Sequence, residues 1–229
     1  MTTTARRRLP VRRALRALST VMIVAGVILL ADAGAAVVWQ EPVSALYAHF
    51  QQNALAGDLD ELERTPLEPA EKRALAKIPD EPRRLAFRAR ALERRLHPGQ
   101  AMGRIVIPRI DISSVFVQGT DAADLRKGPG HYPDTPLPGE RGTVAIAGHR
   151  TTYGAPFRHI DELDPGDRIE LRMPYATFTY RVEKTRIVEP TETSVTDRVD
   201  HDRLILSACH PLYSAAKRII VFARLEPIG

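Results

Sequence analysis

Hydrophobic and polar residues are arranged in three ways along the chain, and each arrangement predicts a different kind of segment. The first is a continuous apolar run from Ala17 to Val38, 22 residues in which Asp32 is the only charged residue. The second, residues 41 to about 100, is rich in Ala, Leu, Glu and Arg and contains no run of strand type. From Met102 onward, short β-type runs are separated by Gly, Pro and Asp. The sequence therefore predicts an apolar helix, a helical region and a β-domain, in that order.

The third region predicts a closed or nearly closed antiparallel barrel. Between Arg168 and Met173, charged and apolar residues alternate, and this period of two turns one face of a strand inward and the other to water. Short, evenly spaced strands with little helix between them are typical of such barrels. About eight strands are predicted, at residues 103–108, 115–117, 144–147, 169–173, 177–182, 186–188, 204–208 and 219–225.

The second region predicts two short helices joined by a proline turn. Leu59 and Leu62, and then Leu75 and Ile78, are three residues apart, and Pro66 lies between the two pairs. The interpretation we favour is a solvated spacer. The alternative is a regulatory arm that touches the β-domain or anionic lipid head groups.

The apolar run is long enough for a membrane-spanning helix, which needs about 20 apolar residues. Six arginines precede it, and because arginine clusters stay in the cytoplasm, the chain after Trp39 is expected outside the cell. A cleaved signal peptide is the alternative, but apolar residues resume at 35–38, beyond the possible cleavage site. The predicted regions are a basic cytoplasmic tail (1–16), a transmembrane helix (17–39), a helical juxtamembrane linker (40–100) and the β-barrel (101–229).

The charge of the chain fits this topology and gives no sign of a nucleic-acid partner. The formal net charge is +5, but residues 1–100 carry 16 basic against 11 acidic residues, whereas residues 101–229 carry 17 of each. The six arginines before the apolar run are enough to account for the whole excess of five. We therefore interpret the basic charge as a topology signal rather than as a polynucleotide-binding groove.

Three residues at strand ends suggest a thiol acyl-transfer site. Cys209, the one cysteine of the chain, ends an apolar run, and Arg218 begins the next. If these runs pair as a hairpin, the two residues lie side by side. His149 follows Gly148 at the end of a third apolar run. A lone cysteine is commonly a small buried apolar residue, but an unpaired thiol in an exported domain is either reactive or bound to another molecule.

The chemistry of such a site follows from the three groups. A thiolate attacks a carbonyl carbon to give a thioester, and His149 protonates the departing amine and later deprotonates the incoming one. Arg218 holds the oxyanion with a charge that does not titrate. With ordinary pKa values, only a small fraction of molecules holds a thiolate and an imidazolium together, so slow turnover with a bell-shaped pH profile is expected. No metal or cofactor is expected, because one cysteine with scattered histidines lacks the spacing of a zinc site.

Several motifs together resemble the sortases, most closely the class E sortases of actinobacteria. The motifs are AGHRTTYGAPF at residues 147–157, GPGHYP at 128–133, and CHP at 209–211 leading to Arg218. The resemblance covers about residues 102–229. It implies an eight-stranded sortase-type β-barrel, mainly β in fold class, with His149, Cys209 and Arg218 as its catalytic residues.

The resemblance also implies a substrate and partners. A transpeptidase of this family cleaves a C-terminal sorting signal of the LAxTG or LPxTG type between Thr and Gly. It then transfers the secreted protein to an amine of the peptidoglycan precursor or to another amine acceptor. The substrate-binding residues expected on this basis are Ser207, Ala208, Tyr153 and His131, and the loop at 189–202 is expected to border the peptide groove.

One departure from the family pattern lies next to the cysteine. Where sortases of this type usually carry Thr-Leu-x-Thr-Cys, residues 205–209 are Ile-Leu-Ser-Ala-Cys. Ala208 therefore lacks a hydroxyl expected near the substrate, and losing one hydrogen bond typically costs ~0.5–1.5 kcal/mol. A weaker or shifted substrate preference is the expectation.

Two other functions stay open. A wall-modifying enzyme of the L,D-transpeptidase type would also use cysteine and histidine, but its Ser-x-Gly-Cys motif does not occur around Cys209. A catalytically silent, membrane-anchored module could bind peptides through the same groove.

Overall fold

The structure is a computed structural model that describes residues 9–38, 42–197 and 199–227. It forms two compact units, one up to Pro42 and one from Val43 onward. The helices are α1 (Leu9–Val38), α2 (Pro42–Arg64), α3 (Pro69–Leu75), α4 (Glu81–Glu93) and α5 (Ala122–Leu125), with short 3₁₀ helices at Pro108–Ile110, Ile160–Glu162 and Thr193–Thr196.

Helix α1 makes up most of the first unit. Its segment Arg13–Ala31 is exposed, and by length and composition it could cross a membrane, although a signal sequence would pass the same test. Trp39 and residues 1–8 of the predicted basic tail lie outside the described residues. The apolar helix is thus present, and its orientation stays a prediction.

The second unit contains the predicted closed barrel of eight strands, in the order β1-β2-β3-β4-β7-β8-β6-β5. The strands are β1 (Ala101–Ile107), β2 (Ile112–Gln118), β3 (Gly130–His131), β4 (Thr143–Ala147), β5 (Arg168–Met173), β6 (Ala176–Val188), β7 (Arg203–His210) and β8 (Lys217–Leu225). The barrel is mixed rather than wholly antiparallel, because β2 with β3 and β4 with β7 are parallel pairs. The chain between β4 and β7 includes β5 and β6, which is long enough for the crossover that a parallel pair requires.

Two strands differ from the prediction. The runs 177–182 and 186–188 belong to one strand, β6, whose pairing with β8 shifts between Val182 and Lys184. An extra residue at such a bulge interrupts the alternation of apolar and polar positions, so a single strand looks like two. The two-residue strand β3 was not predicted, because two residues are too few to show a periodicity.

The barrel interior and one face of α4 form the main core. Strands contribute alternate residues to it, including Ile146, Leu206 and Val221, which are fully buried. Leu85, Ala89 and Leu92 of α4 join the same core. Their spacing of four and three residues gives an apolar stripe on an otherwise arginine-rich helix. Helix α4 begins after Asp80, whose carboxylate accepts the Arg83 N–H at 3.0 Å.

Helix α2 also packs on the barrel. Leu55 and Leu59 are 3% exposed and contact Ala101, Val115 and Val117. The helical character of the region is as expected, but it comprises three helices rather than two. The expectation of a solvated spacer is wrong for these faces, because their apolar side chains cover the outside of β1 and β2.

Candidate functional site

The hairpin of β7 and β8 places Cys209 beside Arg218. The strands pair antiparallel from Arg203 with Arg224 to His210 with Lys217, and in this register Cys209 lies opposite Arg218. Residues directly opposite each other on an antiparallel pair have Cβ atoms about 4.5–5.5 Å apart. The guanidinium of Arg218 donates hydrogen bonds to the carbonyls of Ala215 and Lys217, each at 3.0 Å. The hairpin predicted from the sequence is therefore present, with the thiol and the guanidinium at the end next to its connecting loop.

Strand β4 ends two residues before His149. It runs parallel to β7, with Ala147 opposite Ser207, and the Gly148 N–H donates to the Ser207 carbonyl at 3.0 Å. Continued by two residues past the end of β4, this register would place His149 next to Cys209, in a sheet whose strands lie about 4.8 Å apart. The pairing of Cys209 with Arg218 is observed, and the position of His149 beside them stays a prediction.

The alternation of side chains along β7 decides which residues face the site. Leu204, Leu206 and Ala208 belong to the interior core, whereas Ile205 packs in a separate cluster on the outer face. Ser207 lies on that outer face too, and Cys209 follows it with the same parity. Ala208 is 3% exposed and points into the barrel, so the expectation that it contacts substrate is not met. A threonine hydroxyl at this position would lie inside the barrel.

A cavity of about 490 Å³ opens on the outer face of this hairpin. Its floor includes Ser207, Arg218 and Ile220, and one wall comes from the loop after β6, as expected for a peptide groove. Acidic and basic side chains both line it: Asp134, Glu189, Glu192, Arg141 and Arg218. The cavity therefore reaches the immediate neighbours of Cys209 and is large enough for several side chains of an extended peptide.

His131 does not face the cavity. It lies buried beneath the cavity wall and contacts Thr135, which lines that wall. The histidine is fully buried, and its ring nitrogens lie 2.9 Å from Gln118 Oε1 and 3.1 Å from the hydroxyl of Thr135. Burial lowers the pKa of His131 from 6.5 to about 4, opposed by its hydrogen bond with the Pro136 carbonyl. The expected substrate contact is wrong because β3 places this side chain beneath the surface.

His149 is half-buried, and its ring lies against that of Tyr153, with the ring centroids 5.3 Å apart. Burial lowers the pKa of His149, and the positive charge of Arg126 lowers it further. Both effects disfavour the imidazolium form. A neutral imidazole is therefore the resting form, and the protonated acid is the minor one at neutral pH.

Arg150, the residue after His149, is a site residue that sequence reasoning missed. Its side chain is 2% exposed and forms an ion pair with Asp161 at 2.6 Å. The guanidinium also donates to the Arg158 carbonyl at 3.1 Å and to the Cys209 carbonyl at 3.5 Å. Arg150 thus ties the segment that carries His149 to the backbone of Cys209. A basic residue directly after His149, inside the motif segment at residues 147–157, was the available signal.

Two other histidines, His210 and His159, have side-chain partners of their own. His210 Nδ1 is 3.3 Å from Nη1 of Arg150, and His159 is exposed, with its Nδ1 2.7 Å from Glu162. Within residues 9–38, 42–197 and 199–227, no group of three or more His, Cys, Asp or Glu side chains is arranged to hold a metal ion.

Comparison with known proteins agrees with this geometry. The sortase domain model matches residues 105–226. Sortase D of Bacillus subtilis is 42% identical over 130 residues, which cover 55% of this chain and 64% of the relative. Sortase SrtE1 of Streptomyces coelicolor is 29% identical over 144 residues, which cover 56% of this chain and 41% of the relative. The chain thus spans less than two thirds of the length of either relative.

Solved structures show the same fold. Sortase E from Streptomyces avermitilis is 32% identical, with a TM-score of 0.53, over 57% of this chain and 91% of that one. Sortase D5 of Clostridium perfringens is 24% identical, with a TM-score of 0.61, over 77% of this chain and 99% of that one, and supports the fold alone. Relatives of classes D and E both match, so the class E assignment stays a prediction. The match of the family model, the barrel and the hairpin lead to one conclusion: the chain belongs to the sortase family.

Proposed function

We propose that this chain is a cysteine transpeptidase in which Cys209 is the nucleophile, His149 the general acid and base, and Arg218 the oxyanion-binding residue. The observation that carries the proposal is the register of three neighbouring strands. Cys209 lies opposite Arg218 on β8, and β4, which pairs with β7 up to Ala147 and Ser207, ends two residues before His149, which supports placing His149 beside them. Family membership supports this assignment.

The proposed reaction is two successive acyl transfers. The Cys209 thiolate attacks the scissile carbonyl carbon, and the carbonyl electron pair moves to oxygen, where the Arg218 guanidinium stabilises the negative charge. When the tetrahedral intermediate collapses, the C–N bond breaks and the imidazolium of His149 gives its proton to the departing amine. A thioester on Cys209 and a neutral imidazole remain.

The second transfer regenerates the enzyme. An incoming amine attacks the thioester carbonyl, His149 accepts a proton from the amine, and the C–S bond breaks to release the thiolate. The new amide joins the substrate protein to the amine. Water in place of the amine gives hydrolysis instead.

The proposed substrate is a secreted protein with a C-terminal sorting signal of the LAxTG or LPxTG type, cleaved between Thr and Gly. Support comes from family membership and from the cavity beside Ser207 and Arg218, which is open enough for an extended peptide. The proposed acceptor is an amine of the peptidoglycan precursor or another amine. We further propose that α1 anchors the enzyme in the cell membrane with its N-terminus in the cytoplasm and the barrel outside, since the arginine cluster precedes the apolar segment.

A peptide cleavage assay tests the proposal. Internally quenched peptides carrying LAETG, LPETG or a scrambled sequence are incubated with the full-length protein and with its Cys209→Ala variant. Cleavage of either motif between Thr and Gly by the wild type, and none by the variant, is expected. Equal cleavage by both proteins contradicts the cysteine mechanism. Binding of the peptides without cleavage supports the silent module, and cleavage of peptidoglycan stem peptides alone supports the L,D-transpeptidase alternative.

A further inference from the structure

We propose that Tyr153 is a positioning residue for the imidazole of His149, and that helix α2 holds Tyr153 in place. The inference rests on the proposed function, in which His149 is the acid and base. On this proposal, α2 contributes to the geometry of the site and is more than a linker.

The first step is the contact between the two rings. Their centroids are 5.3 Å apart and the ring planes are inclined by 41°. Aromatic pairs interact favourably at centroid distances of about 4.5–7 Å. The phenol ring therefore restricts the orientations open to the imidazole on the side where it lies.

The second step is that Tyr153 is itself held by residues distant in sequence. Its N–H donates a hydrogen bond to Oγ of Ser44 at 3.3 Å, and its ring meets the ring of Tyr47 edge-on at 6.1 Å. Both Ser44 and Tyr47 belong to the first turns of α2. On another side, the guanidinium carbon of Arg126 lies 5.7 Å from the centroid of the Tyr153 ring.

The third step concerns the backbone. Tyr153, Gly154 and Ala155 all have left-handed φ values, of 51°, 74° and 42°. A left-handed conformation costs about 1–2 kcal/mol for each residue with a side chain, so outside contacts are needed to maintain it. Helix α2 lies close to this turn, since a Cβ added to Gly154 would lie 3.1 Å from the Cβ of Ala48.

The contacts of Tyr153 favour a positioning role over the substrate contact expected from the sequence. Its backbone N–H meets Ser44 and its ring meets Tyr47, both on α2, and the same ring lies against the ring of His149.

The kinetic test uses the full-length protein in detergent micelles and the peptide that the wild type cleaves. Tyr153→Leu is expected to lower kcat about tenfold with little change in KM, because misplacing a catalytic group by 1 Å can cost ~10²-fold. Tyr153→Phe keeps the ring and is expected to restore wild-type kcat. Tyr47→Ala is expected to lower kcat about threefold, since the α2 support is partly lost. The matched control is Phe50→Ala, an aromatic truncation on α2 at a residue that is 63% exposed.

A second readout does not depend on turnover. In protein with ¹³C-labelled histidine, the His149 ring signal, assigned with His149→Gln, is expected to move in Tyr153→Leu and in Tyr47→Ala but not in Phe50→Ala. An unchanged signal in both variants overturns the proposal, and so does a raised KM at unchanged kcat in Tyr153→Leu. Equal effects of Tyr47→Ala and Phe50→Ala also overturn it, since α2 would then act only through stability. If Cys209→Ala is inactive while Tyr153→Leu behaves as wild type, only this inference fails; activity in Cys209→Ala contradicts the proposed function instead.

Discussion

The β7–β8 hairpin and the segment at 148–157 deliver groups to the same site, but they are held by different forces. In the hairpin, every residue from Arg203 to His210 has a partner on β8, so backbone register fixes the positions of the thiol and the guanidinium. His149 instead lies beyond the end of β4. The side chains of Arg150 and Tyr153 hold its segment, together with backbone bonds that include one from the Phe157 N–H to the His149 carbonyl at 2.9 Å.

This difference divides the expected mutations into two classes. Substitutions near the hairpin change which group is present but leave the backbone in register. Substitutions around the segment 148–157 leave His149 in the sequence but change where its imidazole lies. The first class should remove chemistry, and the second should reduce kcat while binding persists.

The largest of these effects is expected at Arg218. Arg218→Gln should lower kcat/KM by ~10²–10³, the loss typical of removing one oxyanion-binding donor. The matched control is Arg224→Gln, which removes the same charge from the same face of β8, where the Arg224 Nε contacts Glu183 at 2.7 Å. Steady-state peptide cleavage measures both. Equal losses in the two variants would show that Arg218 acts only through general charge.

Arg150 should give the next largest effect, because it supports His149 and the Cys209 backbone together. Arg150→Met removes its ion pair with Asp161 and its hydrogen bonds to two carbonyls, and should cost about 2–3 kcal/mol of unfolding free energy. A fall in kcat of about tenfold to 100-fold is also expected. Urea unfolding and peptide cleavage measure these quantities. Arg181→Met, which breaks an exposed ion pair with Glu226, should change stability by less than about 1 kcal/mol.

A comparison of Gly154→Ala with Gly166→Ala separates the effect of backbone strain on stability from the effect of contact with α2 on kcat. Gly154 and Gly166 both have positive φ values, of 74° and 99°, so replacing either by Ala should cost about 1–2 kcal/mol of stability. Only Gly154 lies against α2, whereas a Cβ at Gly166 meets nothing within 4 Å. Gly154→Ala should therefore also lower kcat a few-fold, about threefold to fivefold. Equal kcat values in the two variants would contradict the role of α2 at the site.

The smallest effect is a shift in pH dependence. The charge of Arg126 disfavours protonation of His149 and, after burial, is the second cause of its lowered pKa. Arg126→Gln removes that charge, so the pKa of His149 should rise and the limb of the kcat/KM profile governed by this residue should move to higher pH. Profiles of wild type and variant measured in the same buffers test this. A shift to lower pH, or none, would contradict the assignment of that limb to His149.

The same difference explains what the sequence could predict. The pairing of Cys209 with Arg218 was predictable because the two apolar runs are adjacent in sequence and form a hairpin. The contact between Ser44 and Tyr153 was not, since 109 residues separate them and no local pattern encodes it. The role of Arg150 was missed because no periodicity links it to its partners, which are Asp161 and the carbonyls of Arg158 and Cys209. Ala208 was expected at the substrate from its position in the motif, but the alternation of side chains along β7 turns it into the barrel.

The central claim, that Cys209 carries the acyl group, is tested most directly by trapping the intermediate. The full-length protein is mixed with an excess of LAETG or LPETG peptide, quenched in acid and examined by mass spectrometry. The account predicts a thioester on Cys209 that retains the peptide up to Thr, that hydroxylamine releases, and that does not form with Cys209→Ala. Cleavage of the peptide with the acyl group on another residue, or undiminished cleavage in Cys209→Ala, would contradict it.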